Sequence, residues 1–293
     1  MEIIQLDSIK AYNDLYGLPT FHPLITVVDM NKARKSANHV KMNYGIYALF
    51  IKHGVNCTLR YGRQKYDYQK GTVVSFAPGQ TVQVDIIDEE QPVDVTGLIF
   101  HPDLIYGTPL AERMERYTFF NYAQSEALHL SDREQELLAG CLHNIEAETE
   151  HPVDTHSREL LCTYIELFLE YCLRFYDRQF CTRSKVNSDV LHKFEHELND
   201  YFRSGSAQRQ GLPSVRYFAD KACLSPSYFG DLIKKETGKS AQEYIQFTII
   251  EKVKERFADS SKSVSEIAYE MGFKYPHHLS RLFKKMEGCS PNE

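Results

Sequence analysis

Long apolar runs are missing from this chain: no stretch approaches the roughly 18 consecutive apolar residues that a membrane-spanning helix requires. The amino terminus, MEIIQLDSIK, has neither the basic segment nor the hydrophobic core of a secretory signal. These absences point to the cytoplasm and away from a membrane partner. Cysteine offers no framework either. Seven cysteines, at 57, 141, 162, 172, 181, 223 and 289, include no C-x-x-C pair and no Cys/His cluster. An odd number cannot pair completely, so buried, reduced thiols are expected.

Catalytic signatures are lacking as well. There is no G-x-S-x-G, no phosphate-binding loop and no dinucleotide fingerprint. A metal-holding barrel would need an H-x-H pair, a following Glu and a further His converging on one ion. His53 has no partner two residues on, and the stretch after Pro78-Gly79 contains no His. His22, His39, His53 and His101 are therefore read as surface or hydrogen-bonded structural groups. No catalytic residue, no metal and no cofactor is expected.

Nor is there a strong excess of positive charge. The net charge is −6; residues 186–293 carry 16 Lys+Arg against 15 Asp+Glu (+1), and the rest 18 against 25 (−7). Any attraction to polyanions must come from local lysines and from pairing two chains. At 293 residues, 42% hydrophobic and 25% charged, the composition fits two globular units.

What the chain does contain is an internal repeat. SVRYFADKACLSPSYFGDLIKKETGKS (214–240) and SVSEIAYEMGFKYPHHLSRLFKKMEGCS (263–290) are two versions of one helix-turn-helix. Val215, Phe218, Ala219 and Ala222 match Val264, Ile267, Ala268 and Met271 at an offset of 49, each set spaced as one buried helix face. Beyond the turn the offset is 50, with Phe229, Leu232, Ile233, Lys234, Lys235, Gly238 and Ser240 matching Leu279, Leu282, Phe283, Lys284, Lys285, Gly288 and Ser290. One extra residue thus sits in the second turn.

If Leu279, Leu282, Phe283 and Met286 point inward, His277, Arg281 and Lys284 lie opposite, flanked by Lys274 and Lys285. The equivalent face of the first copy carries Ser227, Asp231 and Lys234, with Tyr228 and Lys235 beside them. For a single hairpin these would read equally well as solvated surface; a tandem pair favours a DNA-facing surface. Ser240 and Glu243 form a capping box, and Ile245, Ile249, Val253 and Phe257 then line one side of a helix ending near Asp259. Some 18 residues at about 1.5 Å each make a spacer of about 27 Å, suited to two recognition helices roughly 34 Å apart on one face of the duplex. A second capping box, Ser263 with Glu266, opens the second hairpin.

These residues resemble the DNA-binding domain of the AraC/XylS family of bacterial transcription regulators, from about residue 186 to 293. The resemblance is carried by A-x-x-x-x-L-S-P-S-Y-F (Ala219 to Phe229), K-K-E-T-G-K-S (Lys234 to Ser240), I-A-x-x-x-G-F (Ile267 to Phe273) and L-S-R-L-F-K-K (Leu279 to Lys285). It implies a bipartite domain whose recognition helices enter successive major grooves. The base-reading positions it implies are Ser227, Tyr228 and Asp231, then His277, Ser280 and Arg281. Lys234, Lys235, Lys274, Lys284 and Lys285 are the phosphate candidates. Two departures stand out: Asp231 places an acceptor against polyanionic DNA, and the chain ends at Ser290-Pro291-Asn292-Glu293, where the family pattern continues with an aromatic-arginine pair and a short tail.

The first half reads differently. LITVVDM, YGIYALFIKHG, NCTLRYG, TVVSFAPG, TVQVDII and VTGLIFHP are short β-rich runs between turn signals, suggesting a small antiparallel barrel or jelly roll. YQKGTVVSFAPGQ (Tyr68 to Gln80) resembles the turn-and-strand of the cupin-like sensor domains of the same family, with Lys70-Gly71 where G-D is usual. Residues 103–125 look irregular and partly helical. Ser131 with Glu134 caps a helix to about Thr149, and a longer one runs from about Thr155 to Phe180. Its stripe of Leu160, Leu161, Tyr164, Ile165, Phe168, Leu169, Cys172 and Phe175 either covers the barrel or, in part and together with the helix at 131–149, forms a dimer interface, as the resemblance implies.

The expected architecture is therefore α+β and multidomain. A cupin-like sensing and dimerisation domain spans 1–182, a linker 183–188, and an all-α DNA-binding domain 189–293, with hairpins at about 214–237 and 263–287. The expected function is a sequence-specific transcription regulator that binds double-stranded DNA as a homodimer under a small-molecule effector, with RNA polymerase contact implied by the resemblance. A constitutive regulator whose barrel only dimerises, and a cupin enzyme with a DNA-binding appendage, are the rival readings. Strand register decides what lines the barrel, so the effector site stays open; Tyr44, Tyr47, Arg60 and Tyr66 are polar-aromatic candidates against ordinary core or surface roles.

Overall fold

The computed structural model of the protein describes residues 3–38, 40–53, 57–60, 71–86, 93–257 and 262–291, with backbone alone at 57–60, 85, 86, 124, 184 and 185. The chain divides into two compact units, Met1–Cys181 and Thr182–Glu293.

The first unit runs β1 (Ile3–Leu6), α1 (Ile9–Tyr16), β2 (Ile25–Asp29), β3 (Val40–Tyr44), β4 (Tyr47–Lys52), β5 (Cys57–Arg60), β6 (Thr72–Phe76), β7 (Gln80–Ile86) and β8 (Val95–Phe100). Short helices α2 (Pro102–Ile105) and α3 (Pro109–Arg113), several 3-10 turns and β9 (Leu128–His129) lead to α4 (Asp132–Glu150) and α5 (Ser157–Thr182). The strands form a four-stranded sheet ordered β1-β3-β7-β5 and a five-stranded sheet ordered β2-β8-β4-β6-β9. The expected β-rich runs hold β2 and β4 through β8; α1, β1, β3 and β9 are additions. Pairing is antiparallel except at β1 and β3, which run parallel, a departure from the all-antiparallel expectation.

Alternation along the strands fills the space between the sheets. Met42, Tyr44 and Val82 of one sheet share a core with Ala48, Phe50, Val74, Phe76 and Ile99 of the other, joined by Tyr12 and Tyr16 of α1. The rings interlock: Tyr44 stacks on Phe76 at 5.3 Å, Tyr12 on Phe50 at 6.2 Å, and Tyr12 meets Tyr16 at 5.0 Å. Each buried ring stabilises the fold by roughly 1.5–3 kcal/mol of apolar transfer. Leu49, Ile51, Val73, Leu98 and Phe100, which alternate with that set along β4, β6 and β8, are buried as well. The five-stranded sheet is thus covered on both faces. On the second face Ser75 Oγ donates to the Phe119 carbonyl at 3.0 Å, and Phe119 stacks on Tyr176 of α5 at 5.5 Å.

The capping box at α4 forms as expected: Glu134 N–H donates to Ser131 Oγ at 3.4 Å, and Ser131 N–H to Glu134 Oε2 at 2.8 Å. Arg178 of α5 clamps the same carboxylate at 2.7 and 3.1 Å. Burial works against ionisation of Glu134, but the Ser131 amide and the Arg178 guanidinium hold its carboxyl below the usual range. Of the α5 stripe, Leu161, Ile165, Phe168, Leu169, Cys172 and Phe175 are buried within the unit, whereas Leu160, like Leu167 outside the stripe, is 42% exposed. The stripe therefore serves mainly the unit's own core.

The second unit contains α6 (Ser184–Arg203), α7 (Ser206–Gln210), α8 (Val215–Lys221), α9 (Pro226–Thr237), α10 (Ala241–Phe257), α11 (Val264–Glu270) and α12 (Pro276–Glu287). Residues 184–188, expected in a linker, are instead the first turns of α6. No Gly or Pro interrupts them, the Asn187 N–H closes onto the Arg183 carbonyl at 2.9 Å, and Asn187 is buried. Phe194 of α6 anchors the core, meeting Phe218 of α8 edge-on at 5.0 Å and Phe229 of α9 at 5.2 Å. Tyr244 of α10 donates to Glu195 Oε1 at 2.5 Å, and burial together with that carboxylate pushes its phenol up to about 12.

Candidate nucleic-acid interface

The two hairpins are built alike from the inside out. Phe218 and Ala219 in α8, and Ile267 and Ala268 in α11, are buried, while Val215 and Val264 are half-buried. At the turns, Leu224 N–H donates to the Ala219 carbonyl and Phe273 N–H to the Ala268 carbonyl, both at 2.9 Å. The residues that reverse the chain take left-handed backbone, Cys223 with φ 57° and Gly272 with φ 88°. Both second helices start with proline in the first turn and end on a left-handed glycine, Gly238 or Gly288, whose N–H closes onto Lys234 or Lys284 at 2.9 and 3.0 Å. Four residues separate α8 from α9 and five separate α11 from α12. The extra residue is Lys274, in the stretch between the matched pairs Leu224/Phe273 and Pro226/Pro276.

Between the hairpins lies α10, 17 residues long and so about 26 Å. The Ser240–Glu243 capping box starts it, with Glu243 N–H donating to Ser240 Oγ at 3.2 Å. The Ser240 hydroxyl and amide, aided by the fields of Lys285 and Lys234, hold the Glu243 carboxyl below its usual range. Ile245, Ile249, Ile250 and Val253 form its buried face, and Phe257 packs edge-on to Phe283 of α12 at 5.7 Å. Lys254 also bonds Glu287 of α12 at 2.7 Å. The expected end near Asp259 lies outside the described residues.

On α9, Ser227, Asp231 and Lys234 share one face at helical spacing, with Ser227 and Asp231 half-buried and Lys234 and Lys235 exposed. Tyr228 is a correction. It is 5% exposed and belongs with Phe229, Leu232 and Ile233 on the buried face of α9, so its ring is core and not a base-reading group. On α12, His277, Arg281, Lys284 and Lys285 are exposed, as is Lys274 before it. Ser280 is half-buried, and its hydroxyl donates back to the Pro276 carbonyl at 3.4 Å. Leu279 and Phe283 face inward and Leu282 is half-buried, but Met286, expected inside, is 37% exposed.

Electrostatics separates structural cations from the rest. Lys221 pairs with Glu197, Lys254 with Glu251 and Glu287, and Lys262 and Arg256 with Glu270. Lys274, Arg281 and Lys284 are exposed outside these pairs, while Lys234 and Lys285 lie close enough to the Glu243 carboxylate to lower its pKa. A further residue of this surface is Tyr275, 47% exposed at the N-cap of α12, which stacks with His277 and falls outside the repeat pattern. The available signal was its mismatch with Ser225, the capping residue of α9.

In the first unit, Tyr44 is buried between the sheets, and Tyr47 stacks on Phe100 at 4.9 Å, its phenol pushed up by burial. His22 accepts from Leu24 N–H at 3.2 Å, His101 from Asp103 N–H at 3.1 Å, and His53 lies 3.0 Å from Thr96 Oγ1. His39, Tyr66, Lys70 and the side chain of Arg60 lie outside the described residues. No group of three or more His, Cys, Asp or Glu among the described residues is arranged to hold a metal ion, and no helix among them is long and apolar enough to cross a membrane.

Comparison with known proteins converges on the second unit. Residues 218–293 match the family model described as a helix-turn-helix domain. YesN of Bacillus subtilis, a transcriptional regulatory protein of uncharacterised role, is 38% identical over 76 residues, covering 25% of this chain and 21% of that protein. The transcriptional activator RhaS of Citrobacter koseri is 33% identical over 75 residues, 26% of this chain and 27% of its own. The chain thus aligns with only about a fifth to a quarter of the length of these relatives. Among solved structures, ToxT of Vibrio cholerae aligns over 92% of this chain and 96% of its own, at 10% identity and a TM-score of 0.32, a likeness too loose to carry an argument.

Proposed function

Because the carboxy-terminal unit is a helix-turn-helix domain of the AraC type, we propose that the protein is a sequence-specific, non-enzymatic transcription regulator that reads double-stranded DNA with α9 and α12. The observation that carries this reading is the duplicated hairpin: two helices with matching proline starts, matching glycine ends and outward-facing cations, with α10 lying between the two hairpins. Ser227, His277, Ser280 and Arg281 are assigned to base edges, Lys234, Lys235, Lys274, Lys284 and Lys285 to phosphates, and Asp231 either to neutralising Lys234 or Lys235 or to a base edge. With only +1 over residues 186–293, nonspecific binding is weak and two chains act together. The exposed seam of Leu160 and Leu167 on α5, with half-buried Tyr164 and Tyr171 between and beyond them, is assigned to the pairing of two first units. Activation would proceed through contact with RNA polymerase.

The first unit is assigned to a small-molecule effector, which shifts the population between ways of holding the two DNA-binding units of a dimer. A second reading is favoured by one observation. The space between the sheets is occupied by Tyr12, Tyr16, Tyr44, Phe50 and Phe76, which suits a unit that only dimerises. A thermal-shift screen with small metabolites, coupled to DNA binding by the full chain, separates the two. A compound that raises the melting temperature of the first unit and changes DNA affinity supports effector control. DNA affinity indifferent to every compound that binds supports the dimerisation-only reading.

A further inference from the structure

Position 275 is where the two hairpins part. The N-cap of α9 is Ser225, whose hydroxyl accepts the Tyr228 N–H at 3.2 Å; the N-cap of α12 is Tyr275, whose side chain makes no capping bond. Its backbone, φ −137° and ψ 130°, is in the extended region that a capping serine also adopts, and the His278 N–H that such a serine would receive closes onto the Tyr275 carbonyl at 3.0 Å instead. A large ring stands there instead, 47% exposed.

The ring organises its neighbours. It lies nearly parallel to the His277 imidazole at 5.6 Å and 22°, and edge-on to His278 at 5.6 Å and 88°. The two imidazoles meet at 4.3 Å, and the Lys274 ammonium sits 5.6 Å from the tyrosine centroid. Lys274, His277 and His278 are themselves exposed, so the cluster contributes little to the hydrophobic core. A helix start without a side-chain cap forgoes the stabilisation that a capping serine gives. A gain elsewhere is the natural compensation.

We infer that Tyr275 is a positioning residue for DNA recognition, holding the His277 imidazole in one orientation against the base edges and Lys274 beside the backbone. The inference rests on the reading of α12 as a DNA-facing helix. It predicts that stability and recognition move in opposite directions when the ring is exchanged for a cap.

The test uses the full chain in three forms, unaltered, Tyr275→Ser and Tyr275→Phe, with thermal unfolding and binding to a selected duplex and a random duplex. Tyr275→Ser should raise the melting temperature by about 3 °C through the restored cap. It should also weaken binding to the selected duplex about fivefold relative to the random one, the value of one lost ring stack, with the preference flattened at a single base pair. Tyr275→Phe should keep both stability and discrimination. The inference is overturned if Tyr275→Ser discriminates as the unaltered chain does, or if it loses stability together with binding, which would make the ring structural. Absence of any sequence preference in the unaltered chain would overturn the DNA-facing reading itself, before a substitution is compared.

Discussion

The two turn residues Cys223 and Gly272 occupy equivalent places with unequal chemistry, and exchanging that chemistry should move stability in opposite directions. Cys223 is a non-glycine residue at φ 57°, where a Cβ crowds the following carbonyl at a cost of roughly 1–2 kcal/mol. Its side chain is exposed, so Cys223→Gly removes the strain with little loss of packing. Glycine's greater freedom in the unfolded chain takes back roughly 0.4–1 kcal/mol. The net expectation is a gain of about 0.5–1 kcal/mol. At Gly272 both terms have the other sign. The backbone is at φ 88°, and a Cβ there would sit 2.5 Å from the Ala207 carbonyl oxygen and 2.9 Å from the Gly211 carbonyl carbon, backbone atoms of the α7 region that have no rotamer to escape into. Strain of roughly 1–3 kcal/mol and overpacking of a similar roughly 1–3 kcal/mol put Gly272→Ala at about 2–5 kcal/mol destabilising. Hydrogen-exchange protection of amides in α8 and α9, and in α11 and α12, reads these changes hairpin by hairpin in the full chain. Urea unfolding gives their sum as a shifted midpoint at constant slope. No gain in Cys223→Gly, or a loss below about 0.5 kcal/mol in Gly272→Ala, refutes the argument from turn geometry.

Three further outcomes concern DNA. Arg281→Ala should cost about 1–3 kcal/mol at one position of the binding site, because the guanidinium fork matches guanine O6 and N7; equal weakening on selected and random duplexes would reassign Arg281 to the backbone. Lys284→Gln or Lys285→Gln should lower the salt dependence of log K by about 0.9 per contact while leaving base preference intact, and an unchanged slope counts against phosphate contact. Asp231→Asn should strengthen binding to all sequences alike if the carboxylate serves to neutralise Lys234 or Lys235, three and four residues on. Selective loss at one C·G pair would instead make Asp231 a reader of the cytosine amino group.

How much of this was legible beforehand depended on whether a pattern repeated. The hairpins were, because burial at Phe218 and Ala219 recurs at Ile267 and Ala268, and the offset moving from 49 to 50 located the inserted Lys274. Capping boxes at Ser131, Ser240 and Ser263 were legible because two side chains three residues apart suffice to form them. Tyr228 lies beside the outward-facing Ser227 in sequence yet is buried, because one residue, 100° of helix, separates the exposed face from the core. Arg183 to Ser188 looked like a linker because the segment is polar, yet nothing in it breaks a helix and α6 runs through it. Strand β3 is hard to see in the sequence although Val40, Met42 and Tyr44 alternate, since Lys41 and Asn43 give the run a polar look. The filling of the sheet interior could not be read at all, because it depends on which face of each strand turns inward.

The central claim, that one chain carries two recognition helices set apart by α10, is tested most directly by binding-site selection from random duplex DNA with the full chain. The expected result is a bipartite site per chain, two short elements with centres about 10 base pairs apart on one face of the duplex, the Arg281→Ala chain losing preference in one element only. A single compact element, or selected sequences without preference in either, would contradict it.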